Sequence, residues 1–484
     1  MTRQRLGLLI VASLFIVFAW IGVAVAREGL VVRSFDRNGV PMMYVAPTHL
    51  EKLPGVLIAH GFAGSKQLML GYAYTLAHQG YATILWDFDG HGTNAAPLGQ
   101  PLQQNFNIAY AALLEQPEVD PDRLAVLGHS MGSGVVMAAG IEQPDRFAAT
   151  VAVSPIEADV TIEAPRNLQL QAGSWEGRFV ENAQRLLQTA GGAEKNLAAG
   201  RGRSLVVVPK AEHITILFQP ASHQAALEWL NTTFGLQPTS HYVDRRMLWY
   251  GLHLLGWLML LRAIAPTLTA WTTDRTRKVN ISLLRGWGGL FAAHWVAAGA
   301  LVLVGQGGNP LSLGGLMVGG AIGLWFLMAG LTWLGFLLRL PYPSWPTIRQ
   351  GGILFLWLWI AFGAMAQFLW LQWWLIPSRL QLWPLLSLAS LPWFLAVGIV
   401  QQQAGFWQRA LGWLSQSAVL VGGFGLVLYL LPQLGFLFLL LPLFPLIMAM
   451  LAFVAAWIDD VWSYALGSAL FWGWLIVAVF PIAS

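Results

Sequence analysis

The sequence contains no cysteine. Disulfides, a thiolate nucleophile and metal sites built on cysteine are therefore excluded. This absence does not identify the compartment, because a domain of about 200 residues buries enough apolar surface to fold without disulfides. The sequence also lacks a basic stripe with interleaved aromatic residues, and its net charge is only +4, so nucleic-acid binding is not indicated.

Charged residues are scarce, and the scarcity is confined to the second half of the chain. They make up 10% of the sequence, whereas a soluble domain has about 25%. Residues up to 245 mix charged, polar and apolar side chains, and the residues that follow are overwhelmingly apolar. The composition therefore predicts a soluble domain at 28–235, a linker at 236–246 and an all-α transmembrane domain at 247–484.

The apolar half divides into about eight segments, each long enough to cross a hydrocarbon core of about 30 Å as a helix. The predicted spans lie near 247–264, 286–304, 312–338, 351–375, 382–400, 411–431, 433–456 and 461–481. No Lys, Arg, Asp or Glu lies at the centre of a predicted span, which argues against proton- or sodium-coupled transport. We interpret His253 and His294, which fall within spans, as neutral histidines that bond to neighbouring helices.

Residues 1–27 form a further apolar segment. A basic flank with Arg3 and Arg5 precedes a run of uncharged residues at 6–26 that is long enough to span a membrane. The segment 24–26 resembles a signal-peptidase site, but the apolar run is longer than the ~7–15-residue core of a signal peptide. We therefore favour an uncleaved signal anchor over a cleaved signal peptide, and both predict an extracytoplasmic soluble domain.

The distribution of basic residues agrees with this orientation. If the soluble domain is exported, the loop after the first C-terminal span lies in the cytoplasm. The largest basic cluster of the apolar half falls on this loop, at Arg275, Arg277, Lys278 and Arg285. Arg339, Arg349 and Arg409 also fall inside, and only Arg379 falls outside. The pattern predicts a multi-pass integral membrane protein whose soluble domain faces away from the cytoplasm.

The most informative motif is the pentapeptide Gly128-His129-Ser130-Met131-Gly132. An apolar run at 124–127, typical of a buried strand, precedes it, and a segment typical of a helix follows near 135–140. Strand, G-x-S-x-G and helix together describe a nucleophile elbow, a strained turn that holds the serine Oγ at the top of a sheet. The motif predicts Ser130 as a nucleophile, with Gly128, His129 and Gly132 as the elbow around it.

Strands and helices alternate on both sides of this motif. Strands are predicted at 30–35, 42–46, 55–59, 81–86, 124–127, 148–153, 167–171 and 204–208. Helices are predicted at 66–79, 102–115, 179–188 and 223–234. The inner strands are apolar throughout, which indicates a mostly parallel sheet with helices on both faces, the α/β class. Sites in such sheets lie beyond the carboxyl ends of the strands.

Residues 28–235 resemble the α/β-hydrolase family, and are most similar to its lidless esterases, dienelactone hydrolases and prolyl-peptidase-like members. The resemblance rests on the His60-Gly61 turn, the segment 87–92, the elbow at Ser130 and a late histidine. The family order is nucleophile, acid, histidine. The resemblance therefore implies that Ser130 is the nucleophile and that His213, after the last predicted strand, is the base.

The acid of this triad has two candidates. Glu176 lies in a segment that resembles the G-x-x-D of the family, with Glu in place of the more usual Asp, and Asp159 is the alternative. The acid would hold the imidazole in one tautomer and stabilise imidazolium. The resemblance also implies an oxyanion hole formed by the backbone N–H groups of Phe62 and Met131.

No cofactor or metal is expected. Asp87 and Asp89 are interpreted as ordering the loop before Gly92, because no His/Asp spacing suggests a metal site. The segment between the strands predicted at 148–153 and 167–171 is too short for a helical lid, so the site is either open or covered by another part of the chain.

Two functions of different class follow from these patterns. The first is a membrane-bound serine hydrolase that cleaves an ester, thioester or peptide at the outer face, with acyl transfer as a variant of the same chemistry. The second is a transport or scaffold protein whose hydrolase-like domain only binds a partner. The complete Ser130–Glu176–His213 order favours the first. The expected partners are membrane lipids and a small acyl or peptide substrate, which could be lipid-linked.

Overall fold

The computed structural model describes residues 2–49, 51–99, 101–270, 282–338, 340–458 and 460–484. The chain divides into two compact units. The first, here called the α/β unit, comprises residues 18–251 and 366–372, and the second, the helical unit, comprises residues 1–17, 252–365 and 373–484. The basic residues Arg275, Arg277, Lys278 and Arg339 lie outside the described residues.

The α/β unit is built on one sheet, to which the described residues contribute eight strands. They are β1 (Leu30–Arg37), β2 (Val40–Pro47), β3 (Leu53–Ala59), β4 (Ala82–Trp86), β5 (Val119–His129), β6 (Ala149–Val153), β7 (Leu168–Gly173) and β8 (Arg203–Val208). Their spatial order is β1-β2-β4-β3-β5-β6-β7-β8. The β1–β2 and β2–β4 pairs are antiparallel and the other pairs are parallel. The predicted mostly parallel α/β sheet is confirmed.

Helices cover both faces of this sheet. They are α2 (Leu70–Ala77), α3 (Leu102–Leu114), α4 (Met131–Glu142), α5 (Gly177–Thr189) and α6 (Pro220–Phe234), and α1 (Arg3–Val25) precedes them in the chain. Successive residues of β3 alternate between two cores. Val56 and Ile58 pack with α2 and α6, and Leu57 and Ala59 pack with α3 and α4. Because both faces are buried, the inner strands are apolar throughout.

Two helix starts differ from the sequence prediction. The helix after the elbow begins at Met131, directly after Ser130, rather than near residue 135. The helix predicted at 66–79 begins with a 3-10 turn, Lys66–Met69, and is α-helical only from Leu70. The first turn of the helix after the elbow carries glycine and serine residues, so its apolar periodicity begins only after the helix has started.

The helical unit consists of long apolar helices. They are α7 (Arg246–Ala270), α8 (Leu283–Gly307), α9 (Gly319–Leu337), α10 (Trp345–Ala366), α11 (Pro377–Gln401), α12 (Phe406–Leu430), α13 (Leu437–Leu440), α14 (Leu443–Trp457) and α15 (Val461–Val479). Within the described residues, nine helical segments are long and apolar enough to cross a membrane, if α1 is included and α13 and α14 count as one. This composition suggests a multi-pass membrane protein. The nine segments agree in number with the eight C-terminal spans and one N-terminal span that the sequence predicts.

The end of α10 differs most from the sequence prediction. The helix ends at Ala366, although the predicted span continued to residue 375. The carbonyl of Ala366 accepts hydrogen bonds from the N–H groups of Leu369, Trp370 and Leu371, which closes the helix in a turn. The residues after the helix end are still apolar, so hydropathy does not reveal the end.

Three polar residues of the helical unit that the sequence analysis singled out bond to backbone groups. Arg379, for which the sequence predicts the outer side, is buried and donates to the carbonyls of Val477 and Phe480 at the end of α15. His253 bonds to the carbonyl of Ala361 in α10, at 3.0 Å, as interpreted from the sequence. His294 instead bonds to the backbone of its own helix, at Phe291.

Candidate active site

Ser130 lies in a strained turn at the carboxyl end of β5. Its backbone angles, φ 51° and ψ −117°, are rare for a residue with a side chain. A Cβ at Gly128 would lie 2.2 Å from the carbonyl oxygen of Gly132, and one at Gly132 would lie 2.6 Å from that of Ala59. Only glycine fits at these two positions, so the pentapeptide forms a strand–turn–helix of the nucleophile-elbow type.

The structure brings Ser130, His213 and Glu176 together in one hydrogen-bonded row. Nε2 of His213 lies 3.0 Å from Oγ of Ser130, and Nδ1 of His213 lies 2.8 Å from Oε2 of Glu176. His213 is 3% exposed and Glu176 is 6% exposed. With the Nδ1 proton donated to the carboxylate, Nε2 is able to accept the proton of the serine hydroxyl.

The carboxylate of Glu176 is fixed by two further donors. The backbone N–H of Gly173 donates to Oε1 at 2.7 Å, and the hydroxyl of Ser154 donates to the same oxygen at 2.9 Å. A buried carboxylate needs such donors to replace its water shell. Asp159, the alternative acid, is exposed in the loop after β6, and Glu176 occupies the position beside Nδ1 of His213. The geometry therefore favours Glu176 over Asp159.

Two aromatic side chains hold the ring and backbone of His213. Phe179 stacks on the imidazole with ring centroids 4.3 Å apart. His129 bonds through Nε2 to the backbone carbonyl of His213 at 2.9 Å. The sequence indicates His129 only as part of the elbow. The contact with His213 is not predicted, because the two residues are 84 positions apart and no spacing indicates such a contact. Burial lowers the pKa of His129 well below its ordinary value, which keeps the ring neutral.

The loop that carries Phe62 passes directly over the elbow. It begins after β3, which is the neighbour of β5 in the sheet. A Cβ at Gly61 would lie 2.8 Å from Nδ1 of His129 and 3.1 Å from Cβ of Ser130, so this approach also requires glycine. Met131 is the first residue of α4, where backbone N–H groups have no partner within the helix. The two predicted oxyanion donors thus belong to segments on either side of Ser130.

A buried ion pair anchors the far side of the Phe62 loop. Nζ of Lys66 pairs with Asp87, and both side chains are 5% exposed or less. The backbone N–H of Lys66 donates to Asp87 Oδ1 at 2.8 Å, and both the N–H and the hydroxyl of Thr93 donate to Oδ2 at 2.8 Å. Burial raises the pKa of Asp87, but Lys66, His60 and the hydrogen bonds lower it more, to about 2. No pattern along the sequence indicates Lys66 as the partner of Asp87.

Asp89 and His60, the polar residues that follow β4 and β3, form hydrogen bonds within the protein. Asp89 accepts from Asn94 at 3.0 Å and from Asn105 at 2.9 Å. His60 bonds through Nδ1 to the carbonyl of Gly61 at 2.7 Å, and its Nε2 accepts from the N–H of Phe88 at 3.2 Å. Across the described ranges, no group of three or more His, Asp or Glu residues could hold a metal ion.

In the part of the chain that the structure describes, no helix lies between β6 and β7. Residues 154–167 connect these strands and consist of turns, bends and irregular backbone. This agrees with the expectation that the domain lacks the helical lid of many lipases.

This sheet and the elbow give the α/β unit the α/β-hydrolase fold. Residues 52–211 match the family described as serine aminopeptidase, S33. The matched region runs from the start of β3 to the segment after β8, and it includes Ser130 and Glu176 but ends before His213.

Curated proteins match about a quarter of this chain. An uncharacterised protein of Mycobacterium tuberculosis (strain ATCC 25618 / H37Rv) is 31% identical over 131 residues, which cover 27% of this chain and 46% of that protein. The quorum-quenching protein AidA of Acinetobacter baumannii is 28% identical over 133 residues, which cover 25% of this chain and 42% of that protein. The chain thus spans less than half the length of these relatives.

A solved structure also matches a part of the chain. A membrane phospholipase A described as a bacterial virulence factor has a TM-score of 0.34 at 13% identity, and the match covers 46% of this chain and 93% of that one.

Proposed function

We propose that this protein is a membrane-bound serine hydrolase that cleaves an ester, thioester or peptide through an acyl-enzyme on Ser130. The observation that carries the proposal is the row of hydrogen bonds from Ser130 Oγ through His213 to Glu176, at 3.0 and 2.8 Å. A serine hydroxyl is a weak nucleophile unless a base accepts its proton. The row supplies that base, and the elbow holds the hydroxyl beside it.

The reaction proceeds in two halves. Oγ of Ser130 attacks the acyl carbon while Nε2 of His213 accepts its proton, and Glu176 stabilises the imidazolium. His213 then donates that proton to the leaving alcohol, thiol or amine, which departs and leaves an ester on Ser130. Water attacks this ester with His213 as base, and the acid product leaves as Oγ regains its proton. If an acceptor other than water enters, the same intermediate yields acyl transfer.

The negative charge of each tetrahedral intermediate falls on the former carbonyl oxygen. In the proposed site the backbone N–H groups of Phe62 and Met131 donate to it. Donors of this kind contribute about 3–4 kcal/mol each to transition-state stabilisation. Because they belong to the backbone, they depend on loop position and not on side-chain identity.

We assign the parts of the chain as follows. Residues 1–27 are a signal anchor, 28–235 the hydrolase domain, 236–246 a linker and 247–484 the membrane domain. The basic N-terminus and the basic residues of the first cytoplasmic loop support an extracytoplasmic hydrolase domain.

A lipid-borne acyl substrate is supported by an apolar cavity of about 200 Å³ in the helical unit. It is lined by residues of α7, α10 and α14: Leu254, Trp257, Leu258, Trp357, Leu358, Ala361, Phe362, Leu446, Ile447 and Met450. Such a lining accepts a hydrocarbon chain without loss of hydration, whereas an ion path requires polar groups.

A fluorophosphonate probe tests the proposal against a scaffold role. The purified full-length protein should be labelled at Ser130, and Ser130→Ala and His213→Ala should abolish labelling. Asp159→Asn, which changes an exposed carboxylate, is the control and should label normally. Labelling that persists in Ser130→Ala, or a wild-type protein that does not react, would favour the non-catalytic alternative.

A further inference from the structure

The segment Ala366–Gln372, here called the docked segment, belongs to the α/β unit although the helices on both sides of it belong to the helical unit. It follows α10 directly and leads towards α11. The α/β unit is therefore completed by residues that lie more than a hundred positions after the rest of it.

One side of the docked segment bonds to the residues that follow Phe62. The hydroxyl of Ser65 donates to the carbonyl of Trp370 at 3.3 Å, and Nε2 of Gln67 donates to Oε1 of Gln372 at 2.7 Å. Ser65 and Gln67 are each 4% exposed, whereas Gln372 is half-buried, so both bonds are partly shielded from water. Breaking such a bond leaves a buried partner on the Phe62 side unsatisfied, which is costly.

These two residues flank Lys66, the anchor of the Phe62 loop. The loop itself is a tight turn in which the N–H of Gly64 donates to the carbonyl of Gly61 at 3.0 Å. Its first end lies over the elbow at Gly61, and its second end is fixed by the ion pair of Lys66 and by the docked segment. The position of the Phe62 N–H therefore depends on both ends.

The other side of the docked segment is held by Arg246. Its guanidinium donates to the carbonyl of Phe368 at 2.9 Å and makes two bonds of 2.7 Å to the carboxylate of Asp244. It also lies 4.2 Å from the ring centroid of Tyr74 in α2. Trp370 packs against the core between the sheet and α2. The segment is thus built into the α/β unit by hydrogen bonds and by apolar packing.

Membrane topology allows this arrangement. In the described part of the chain, four candidate spans, α7 to α10, separate Arg246 from the docked segment. An even number of crossings returns the chain to the side that it left. A multi-pass chain therefore brings the docked segment to the side of the hydrolase domain.

We infer that the docked segment is a positioning element of the oxyanion hole, because it fixes the second end of the Phe62 loop within the α/β unit. Gln67 and Gln372 are positioning residues that fix the second end of the Phe62 loop. This inference rests on the proposed serine-hydrolase function and adds a dependence of turnover on a contact outside the triad.

The test is a double-mutant cycle in the full-length protein. Gln67→Ala and Gln372→Ala should each lower kcat for a short soluble ester about tenfold with little change in KM, because a displacement of about 1 Å at a catalytic group can cost about 100-fold. The double variant should be no slower than either single one, since both remove the same contact. Gln372→Glu keeps an acceptor for Gln67 and should restore kcat.

Fluorophosphonate titration counts the competent sites, so that kcat is expressed per labelled site. Gln188→Ala, which truncates an exposed glutamine on α5, is the matched control and should retain wild-type kcat. If Gln67→Ala does not fold, Ser65→Ala removes a single hydroxyl and should lower kcat per site about threefold.

Two results distinguish this inference from the proposed function. Variants with wild-type kcat per labelled site, or losses that multiply in the double variant, would overturn the inference and leave the serine hydrolase intact. A wild-type protein that neither labels nor cleaves esters would overturn the proposed function and the inference together.

Discussion

His129, the residue before the proposed nucleophile, holds the backbone of the proposed base: its Nε2 lies 2.9 Å from the carbonyl oxygen of His213. The two rings are 4.7 Å apart between centroids. The elbow therefore fixes the serine and also the loop on which the histidine is mounted.

The first prediction concerns this contact. His129→Phe keeps an aromatic ring but removes the donor to His213, so the imidazole should lose part of its alignment with Ser130. We expect kcat for a soluble ester to fall about tenfold. Burial lowers the pKa of His129 well below its ordinary value, so the acidic limb of the pH–rate profile should not move in the variant. His241→Phe, at an exposed position, is the control and should behave like the wild type.

The second prediction concerns the triad as a unit. Ser130→Ala and His213→Ala should each lower kcat by about 10⁴-fold or more, and the double variant should be little slower than either. Ester hydrolysis by the purified protein, with circular dichroism to verify the fold, measures this. Losses that multiply would mean that the two residues act independently.

The third prediction separates the two candidate acids. Glu176→Gln should cost up to about 10⁴-fold in kcat, because an amide no longer fixes the Nδ1–H tautomer of His213. Asp159→Asn, at an exposed carboxylate, should change kcat less than twofold. The opposite ranking in the same ester assay would transfer the role of the acid to Asp159.

The fourth prediction concerns the ion pair of Lys66 and Asp87. Asp87→Asn leaves a buried ammonium unpaired and should destabilise the fold by about 3–5 kcal/mol at neutral pH. The pKa of Asp87 is lowered in the folded protein to about 2 from 3.8. The ionised carboxylate therefore stabilises the fold when the pH is above the pKa of the unfolded chain, and this contribution is lost as the pH falls from about 4 to about 2. The difference in Tm between wild type and variant should shrink over that interval.

A paired variant is the control for this measurement. Lys66→Met combined with Asp87→Leu removes both charges, and it should be more stable than Asp87→Asn alone. A Tm difference that stays constant from pH 4 to pH 2 would show that the Asp87 charge contributes nothing to stability.

The fifth prediction concerns the apolar cavity of the helical unit. Leu258→Trp fills part of it and should lower kcat/KM for long-chain esters relative to short ones. Leu255→Trp, on the same helix but 48% exposed, is the matched control and should leave that ratio unchanged. If the ratio of kcat/KM for long-chain esters to that for short esters is the same in both variants, the apolar cavity does not take part in substrate binding.

Much of the α/β unit could be predicted from the sequence because its signals are local. Apolar runs bounded by turns indicate the strands, and the pentapeptide around Ser130 specifies its own strained turn. The remaining contacts are long-range. Neither the bond from His129 to the His213 carbonyl nor the pairing of Lys66 with Asp87 leaves a pattern along the chain, because each depends on which strands become neighbours.

The helical unit is predicted less sharply from the sequence. Hydropathy gives the number of apolar segments, but the residues after Ala366 remain apolar beyond the end of α10, so the span appeared to continue. The end is set by a carbonyl that accepts three N–H groups and by the packing of Trp370, and neither is visible in composition.

The docked segment also constrains biosynthesis and evolution. The docked segment is translated on the order of 10 s after the rest of the α/β unit, once four apolar helices have been synthesised. On the proposed function, the loop of Phe62 lacks one of its supports until then, so full activity would be delayed until the docked segment is in place. On the proposed membrane topology, helices between Arg246 and Ala366 could be gained or lost only in pairs, because a single addition would deliver the segment to the opposite face of the membrane.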